Sequence, residues 1–261
     1  MLLGILRLVR LSNSLPAALL VLLGAKLVDL PLLQGRLWLA MTAMWAITAF
    51  GYVSNDLTDL AEDQVNKPDR PLPTGVVTYR QAFLFAIGLI TTALILSRQL
   101  GLLPLGMAIV VLLLLLLYNW KLKGTAGFGN LLIAGLAACA LLPGAVAVVG
   151  WQVATLVKLL PAALALALFI LAREMVKTLE DIPGDQAAGK RTIAISAGVQ
   201  GTLWLVACCA LLLFITICFW FRWRSYSLSS MLLMLLGVNF PLGYTAYYLT
   251  LSLPSPKCAV C

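Results

Sequence analysis

Asn55, Asp56, Asp59 and Asp63 end one of the oily stretches of this chain with four oxygen-bearing side chains. Residues three, four and seven apart share one face of a helix, so all four project toward a common point. Carboxylates crowded in a low dielectric repel one another and are neutralised either by protons or by a cation. A ligand set made only of oxygen favours hard Mg²⁺ over zinc or copper. A second set follows far along the chain, where Glu174, Lys177 and Asp181 recur at helical spacing and Asp181 pairs with Asp185. Nine of the ten acidic residues fall within 56–69 and 174–185. A charge at bilayer depth is costly, so such a cluster in a membrane-spanning chain reads as a functional site. The plainer readings are a solvated helix end for the first window and an interhelical salt-bridge network for the second.

Cations are interleaved with these acids. Directly after the first window runs Asn66-Lys67-Pro68-Asp69-Arg70-Pro71-Leu72-Pro73-Thr74-Gly75, whose prolines and glycine stop the helix and stiffen the loop. That places Lys67 and Arg70 beside the carboxylates, where Arg offers phosphate a bidentate fork and Lys a point charge. Tyr118-Asn119-Trp120-Lys121-Leu122-Lys123 adds Lys121 and Lys123 on the same face, with topology determinants as the simpler reading of both. Gly127-Phe128-Gly129-Asn130 then lets the next helix approach closely, and Pro183-Gly184 is expected to break the helix that carries Asp181. Two carboxylate clusters on separate helices, with basic residues between them, make a cage for a metal-bound diphosphate. A proton or ion pathway would instead spread isolated ionisable groups through membrane depth. Transport remains the non-enzymatic alternative, since the two windows hint at a weak internal repeat.

The elements that must position these groups are transmembrane helices. With 62% hydrophobic residues, 11% charged residues and a mean hydropathy of +1.01, the 261-residue chain lies far outside the soluble range. It reads as an all-α polytopic bundle forming a single domain over 1–261. Spans need about 20 apolar residues each, and eight are legible, at 12–30, 37–57, 79–97, 101–119, 126–149, 153–179, 199–221 and 228–251. The first is too long for a removable signal peptide and lacks a small-residue cleavage site. The net charge of +8 could suggest nucleic acid in a soluble protein, but here it is read through the positive-inside rule, with membrane lipids and no nucleic acid as partners. A cytoplasmic N-terminus puts twelve of the eighteen Lys and Arg residues, and both acidic windows, on the cytoplasmic side. Cys139, Cys208, Cys209 and Cys218 fall inside spans as small hydrophobes. The tail Lys257-Cys258-Ala259-Val260-Cys261 only loosely imitates a lipidation box and reads as a frayed end. With no histidine in the chain, His-based acid/base chemistry and His metal sites are excluded, leaving carboxylates and metal.

These motifs resemble the UbiA-type intramembrane prenyltransferases over nearly the whole chain. Asn55-x-x-x-Asp59-x-x-x-Asp63 is similar to that family's first Asp-rich motif and Asp181-x-x-x-Asp185 to its second, while 66–75 follows the family pattern N-x-P-x-R-P-x-P-x-G. Arg173-Glu174, Lys177, Glu180-Asp181, Gly184-Asp185 and 118–123 look most similar to the branch that makes digeranylgeranylglyceryl phosphate. The family has nine helices where eight are legible here, and Thr178 and Pro183 stand where acids are common.

The resemblance implies a central cavity open to lipid and Mg²⁺ held by both motifs, that is by Asn55, Asp56, Asp59, Asp63, Asp181 and Asp185. It implies prenyl transfer from a diphosphate donor to a lipophilic acceptor, with Asp59, Asp63, Asp181 and Asp185 catalytic and Lys67, Arg70, Lys121, Lys123 and Lys177 on the diphosphate. Tyr118, Glu174, Glu180, Lys190 and Arg191 are expected to touch substrate or support those that do. A prenylglyceryl phosphate acceptor needs a second anion pocket, for which Lys190 and Arg191 are candidates. An aromatic acceptor needs stacking walls, for which Trp120, Tyr52 or Phe128 would serve, and cyclisation of the donor needs no acceptor.

Overall fold

The computed structural model describes residues 2–224 and 227–239, and among them every regular element is helical. The helices are α1 (Leu2–Leu8), α2 (Leu11–Leu27), α3 (Gly35–Thr58), α4 (Leu60–Asn66), α5 (Tyr79–Leu100), α6 (Leu102–Leu117), α7 (Phe128–Cys139), α8 (Leu142–Val149), α9 (Val153–Glu180), α10 (Ile182–Ala187), α11 (Ile193–Ser196), α12 (Gly198–Arg224) and α13 (Leu228–Met234). Six segments are long and apolar enough to cross a membrane, and the 17-residue α2 makes a shorter apolar seventh. The seven expected spans before residue 228 are all found, and the eighth lies outside the described residues beyond Asn239, as does the tail around Lys257. Only 11% of the 102–122 window is buried although its mean hydropathy is 2.4. A helix that is apolar on faces it does not pack needs a lipid surrounding, so the bundle is an integral membrane protein.

Two packed groups build the bundle. In one, alanines of α3 (Ala46, Ala49) and α5 (Ala82, Ala86, Ala93) bring those helices together, with Phe50, Val53 and Leu112 filling the remaining space. Small residues are the natural interface where lipid tails remove the hydrophobic drive between helices and close packing must replace it. In the other group α9 packs on α12 through Leu159, Ala162, Leu213 and Ile217. Between them α2 crosses α8 at a glycine pair: a Cβ on Gly24 would run into the carbonyl of Leu141, and one on Gly144 into the carbonyl of Val21.

The expected span at 126–149 is divided into α7 and α8, with a turn at Ala140–Leu141. Pro143 explains the division, because in a continuous helix its ring would clash with the carbonyl of Cys139, whereas in the first turn of α8 its missing N–H costs nothing. Pro183 likewise starts α10 instead of ending the helix before it. At the end away from the acids, Arg36 donates Nε to the Ala147 carbonyl at 2.5 Å and Nη2 to the Leu100 carbonyl at 2.6 Å. A cation on the carbonyls that close α8 and α5 suits the negative end of each helix dipole.

Candidate functional site

The first acidic window is not one continuous helix. Asp59 has φ −94° and ψ 8°, outside the helical region, and stands alone between α3 and α4. The i→i−4 backbone bonds nevertheless cross it, from Asp59 to Asn55 at 3.0 Å and from Asp63 to Asp59 at 2.8 Å, so the expected common face survives the joint. Asp56, Asp59 and Asp63 are 3%, 7% and 5% exposed. Carboxylates so deeply buried require partners. Arg70 Nη1 bridges two carboxylates, reaching Asp56 at 3.2 Å and also engaging Asp63, Arg10 pairs with Asp56, and Lys123 holds Asp59. Lys123 also donates to the Asn55 side-chain oxygen at 2.9 Å, and the Asn55 amide donates to Asp59 at 2.8 Å.

The loop after α4 is fixed from below. Leu72 and Val77 are buried in the α3–α5 core, and Thr78 begins α5 with a reciprocal capping box to Gln81. Those anchors, with three prolines, hold Arg70 against its two aspartates. Lys123 arrives by a different device, since α6 passes at Tyr118–Leu122 into a wider π turn, a feature common at functional sites. That turn also brings the Asn119 amide to Ser54 Oγ at 2.8 Å, while the Asn119 carbonyl oxygen is buried with no hydrogen bond. The close approach expected at Gly127–Asn130 is made by Gly129, where a Cβ would press on the Leu122 carbonyl.

The second window repeats the joint. Asp181, at φ −93° and ψ 3°, stands alone between α9 and α10 and is spanned by bonds to Lys177 at 3.0 Å and from Asp185 at 2.9 Å. The two windows meet: Lys67 lies 3.5 Å from Asp181, and Lys190 pairs with both Glu62 and Asp185, at 3.9 Å from the latter. Burial pushes the Asp185 carboxyl above the usual aspartate range, against the opposing pull of Lys190. Among the described residues no three acidic side chains gather closely enough to share one metal ion, each buried carboxylate of the first window leaning instead on a basic neighbour. The donor set is hard carboxylate and amide oxygen throughout, which suits Mg²⁺.

A cavity of about 570 Å³ opens at this meeting point. Its polar mouth is formed by Arg10, Tyr52, Asn55, Tyr118, Asn119, Lys123, Arg173, Glu174 and Lys177, and the remainder is almost wholly apolar, from Met44, Ile47, Leu115, Leu136, Leu166 and Phe169 down to Leu100 and Val146. Along α3 its wall runs from Asn55 to Ala40, a rise of about 22 Å at 1.5 Å per residue.

Of the residues expected at the site, Asn55, Tyr118, Lys123, Glu174 and Lys177 line this cavity, and Asp56, Asp59, Asp63, Asp181, Asp185, Lys67 and Arg70 form the charged group at its mouth. Others are placed elsewhere. Lys121 is exposed, with its ammonium 4.6 Å from the Trp120 ring, and Glu180 and Arg191 are exposed outside the cavity lining. Lys190 serves the acids at the rim and does not line the cavity. Trp120 and Phe128, expected as stacking walls, are 78% and 69% exposed on the outer surface, which leaves Tyr52 as the aromatic of that set inside. Arg10 and Asn119 join the lining without a motif in the sequence that marks them. Arg10 reads in the sequence as a topology charge, and its only signal is a position two residues ahead of an apolar span at the end where the acids gather.

Lipid-facing helices around a long apolar cavity whose charged lining residues all stand at one mouth define an intramembrane protein built to receive amphiphiles. The chain belongs to the UbiA prenyltransferase family, whose model matches residues 14–259, and it is a prenyltransferase. It is 39% identical over 206 residues to the digeranylgeranylglyceryl phosphate synthase of Methanoregula boonei, covering 79% of this chain and 72% of that one. A solved structure reported for digeranylgeranylglyceryl phosphate synthase superposes with a TM-score of 0.68 at 26% identity, over 96% of this chain and 93% of the other. A UbiA homologue from Archaeoglobus fulgidus, solved with GPP and Mg²⁺, has the same fold, with a TM-score of 0.70 at 18% identity over 95% of this chain and 86% of that one.

Proposed function

We propose that the protein, as one transmembrane domain with its acidic mouth on the cytoplasmic side, moves a geranylgeranyl group from its diphosphate to the hydroxyl of geranylgeranylglyceryl phosphate. The cavity carries this reading: a charged mouth over an apolar channel about 22 Å long matches a diphosphate head with a long prenyl tail. The synthase name shared by the relatives supports the acceptor, and the Mg²⁺ and GPP of the Archaeoglobus homologue support the metal and the donor. The outward placement of Trp120 and Phe128 weighs against an aromatic acceptor.

In this mechanism Asn55, Asp56, Asp59 and Asp63 from one joint, and Asp181 and Asp185 from the other, would hold Mg²⁺. When bound, the metal neutralises the diphosphate and eases its departure. Lys67, Arg70 and Lys123, which here rest on Asp181, on Asp56 and Asp63, and on Asp59, turn to phosphate oxygens and stabilise the charge that grows as the allylic C–O bond breaks. The apolar wall excludes water that would otherwise capture the allylic cation. The acceptor hydroxyl attacks the same carbon and passes its proton to the departing diphosphate as the new C–O bond forms. Tyr118 and Glu174 border the cavity mouth where the two substrates meet. The test offers the purified protein Mg²⁺ and geranylgeranyl diphosphate with geranylgeranylglyceryl phosphate, with a hydroxybenzoate and with no acceptor, and identifies products by mass. A diphosphate-dependent ether product from the first is expected; product from the second or third alone would refute the assignment.

A further inference from the structure

The cavity mouth carries two groups of cations that rest on different acids. Lys67, Arg70 and Lys123 lie on carboxylates of the two aspartate motifs. Arg173 and Lys177, both on α9, instead share Glu174, at 3.1 Å and 2.6 Å. Arg10, at the start of α2, joins them as a lining residue. Its guanidinium carbon lies 5.0 Å from the centre of the Tyr52 ring, and its backbone sits at φ 48°, ψ 62°, a left-handed conformation that a residue with a Cβ seldom adopts. Such a conformation persists where the surroundings over-determine it, and here it sets the guanidinium between Asp56 and Tyr52. Each arginine carries five N–H donors and spends few of them on these partners, so spare donors remain at the cavity wall. Arg173 and Lys177 rest on Glu174, outside the two aspartate motifs, while Arg10 lines the same cavity wall and shares its one acid, Asp56, with Arg70.

We infer that Arg10, Arg173 and Lys177 form a second anion pocket that binds the acceptor's phosphate monoester, separate from the cations that serve the donor. The pocket rests on the proposed prenylglyceryl phosphate acceptor and replaces Lys190 and Arg191, which lie outside the cavity lining. Paired arginine forks suit the tetrahedral dianion of a phosphate monoester. Glu174 holds Arg173 and Lys177 in place until that anion arrives. Arg173 is the best probe because it touches none of the motif aspartates, whereas Arg10 contacts Asp56.

The test compares wild type with Arg173→Gln and Arg173→Lys in phosphate-free buffer and zwitterionic detergent, using geranylgeranylglyceryl phosphate and the corresponding phosphate-free alcohol, geranylgeranylglycerol, as acceptors. Arg173→Gln is expected to raise the KM for the phosphate acceptor about 10- to 100-fold, the value of a hydrogen-bonded charge. The donor KM and the KM for the alcohol should not move, and Arg173→Lys should recover part of the loss. An unchanged phosphate-acceptor KM, an equal rise with the alcohol, or Lys no better than Gln would overturn the pocket while leaving the proposed reaction intact. A wild-type protein that transfers only to an aromatic acceptor would remove both. Melting temperatures of the variants in detergent separate a folding defect from lost binding, and radiolabelled acceptor bound without donor or Mg²⁺ reports the pocket directly, with undiminished binding to Arg173→Gln counting against it.

Discussion

Replacing Gly144 with alanine should damage this protein far more than one methyl group ordinarily does. The new Cβ would land on the Val21 carbonyl, about 1 Å inside the 3.0 Å limit that such atoms keep, and the obstacle is backbone that no rotamer change can move. Relief requires α2 and α8 to separate, and both helices line the cavity, through Ala17 and Leu20 on one and Pro143 and Val146 on the other. Overpacking of this kind costs about 2–3 kcal/mol, less up to about 1 kcal/mol that alanine gains over glycine within a helix. The net loss of about 2 kcal/mol corresponds to a melting temperature lower by about 4–8 °C in a chain of this size. Gly88, on the exposed face of α5 with nothing within 4 Å of its virtual Cβ, provides the control. There the same substitution leaves only the propensity gain, so Gly88→Ala should be neutral or slightly more stable. Thermal unfolding of the detergent-solubilised protein, followed by circular dichroism, reads both. If Gly144→Ala and Gly88→Ala melt together, the close crossing of α2 and α8 is refuted.

Three further outcomes concern the acids and their partners. Asp59→Ala or Asp181→Ala should lower turnover at least about 100-fold while membrane insertion is retained, and near-normal product formation by either would remove those joints from the chemistry. Arg70→Lys replaces the planar guanidinium, whose Nη1 bridges Asp56 and Asp63 and whose other donors are free to turn to phosphate, with a single point charge, so kcat should fall about 10-fold with the acceptor KM unchanged. Chelation with EDTA should stop product formation and added Mg²⁺ should restore it; activity that survives chelation would exclude a metal-held diphosphate.

Much of this architecture is legible in the residues. The spans show because about 20 apolar positions in a row leave few alternatives, and the aspartate motifs show because spacings of three and four survive the single-residue joints. The breaks themselves are less visible. Pro183 looks like a terminator and Pro143 lies inside the expected span 126–149, yet each sits comfortably in the first turn of a new helix, so punctuation alone does not say on which side of a proline the helix falls. The cations are the least legible. Lys121 and Lys123 are two residues apart and look equivalent, but only the π turn decides that one reaches Asp59 and the other turns outward over Trp120. Arg10 depends on a left-handed backbone that no local pattern announces, and Lys190 on a long-range pairing with Glu62.

The matching joints at Asp59 and Asp181 have a mechanical consequence. In each, one residue leaves helical geometry yet bonds back to the long helix through its N–H and forward to the short one through its carbonyl, so it ties the two rods together. Any tilt of α3 or α9 therefore carries its aspartates with it and alters the gap between them. Bilayer thickness, to which long helices adapt in part by tilting, thereby becomes one influence on how wide the jaws stand.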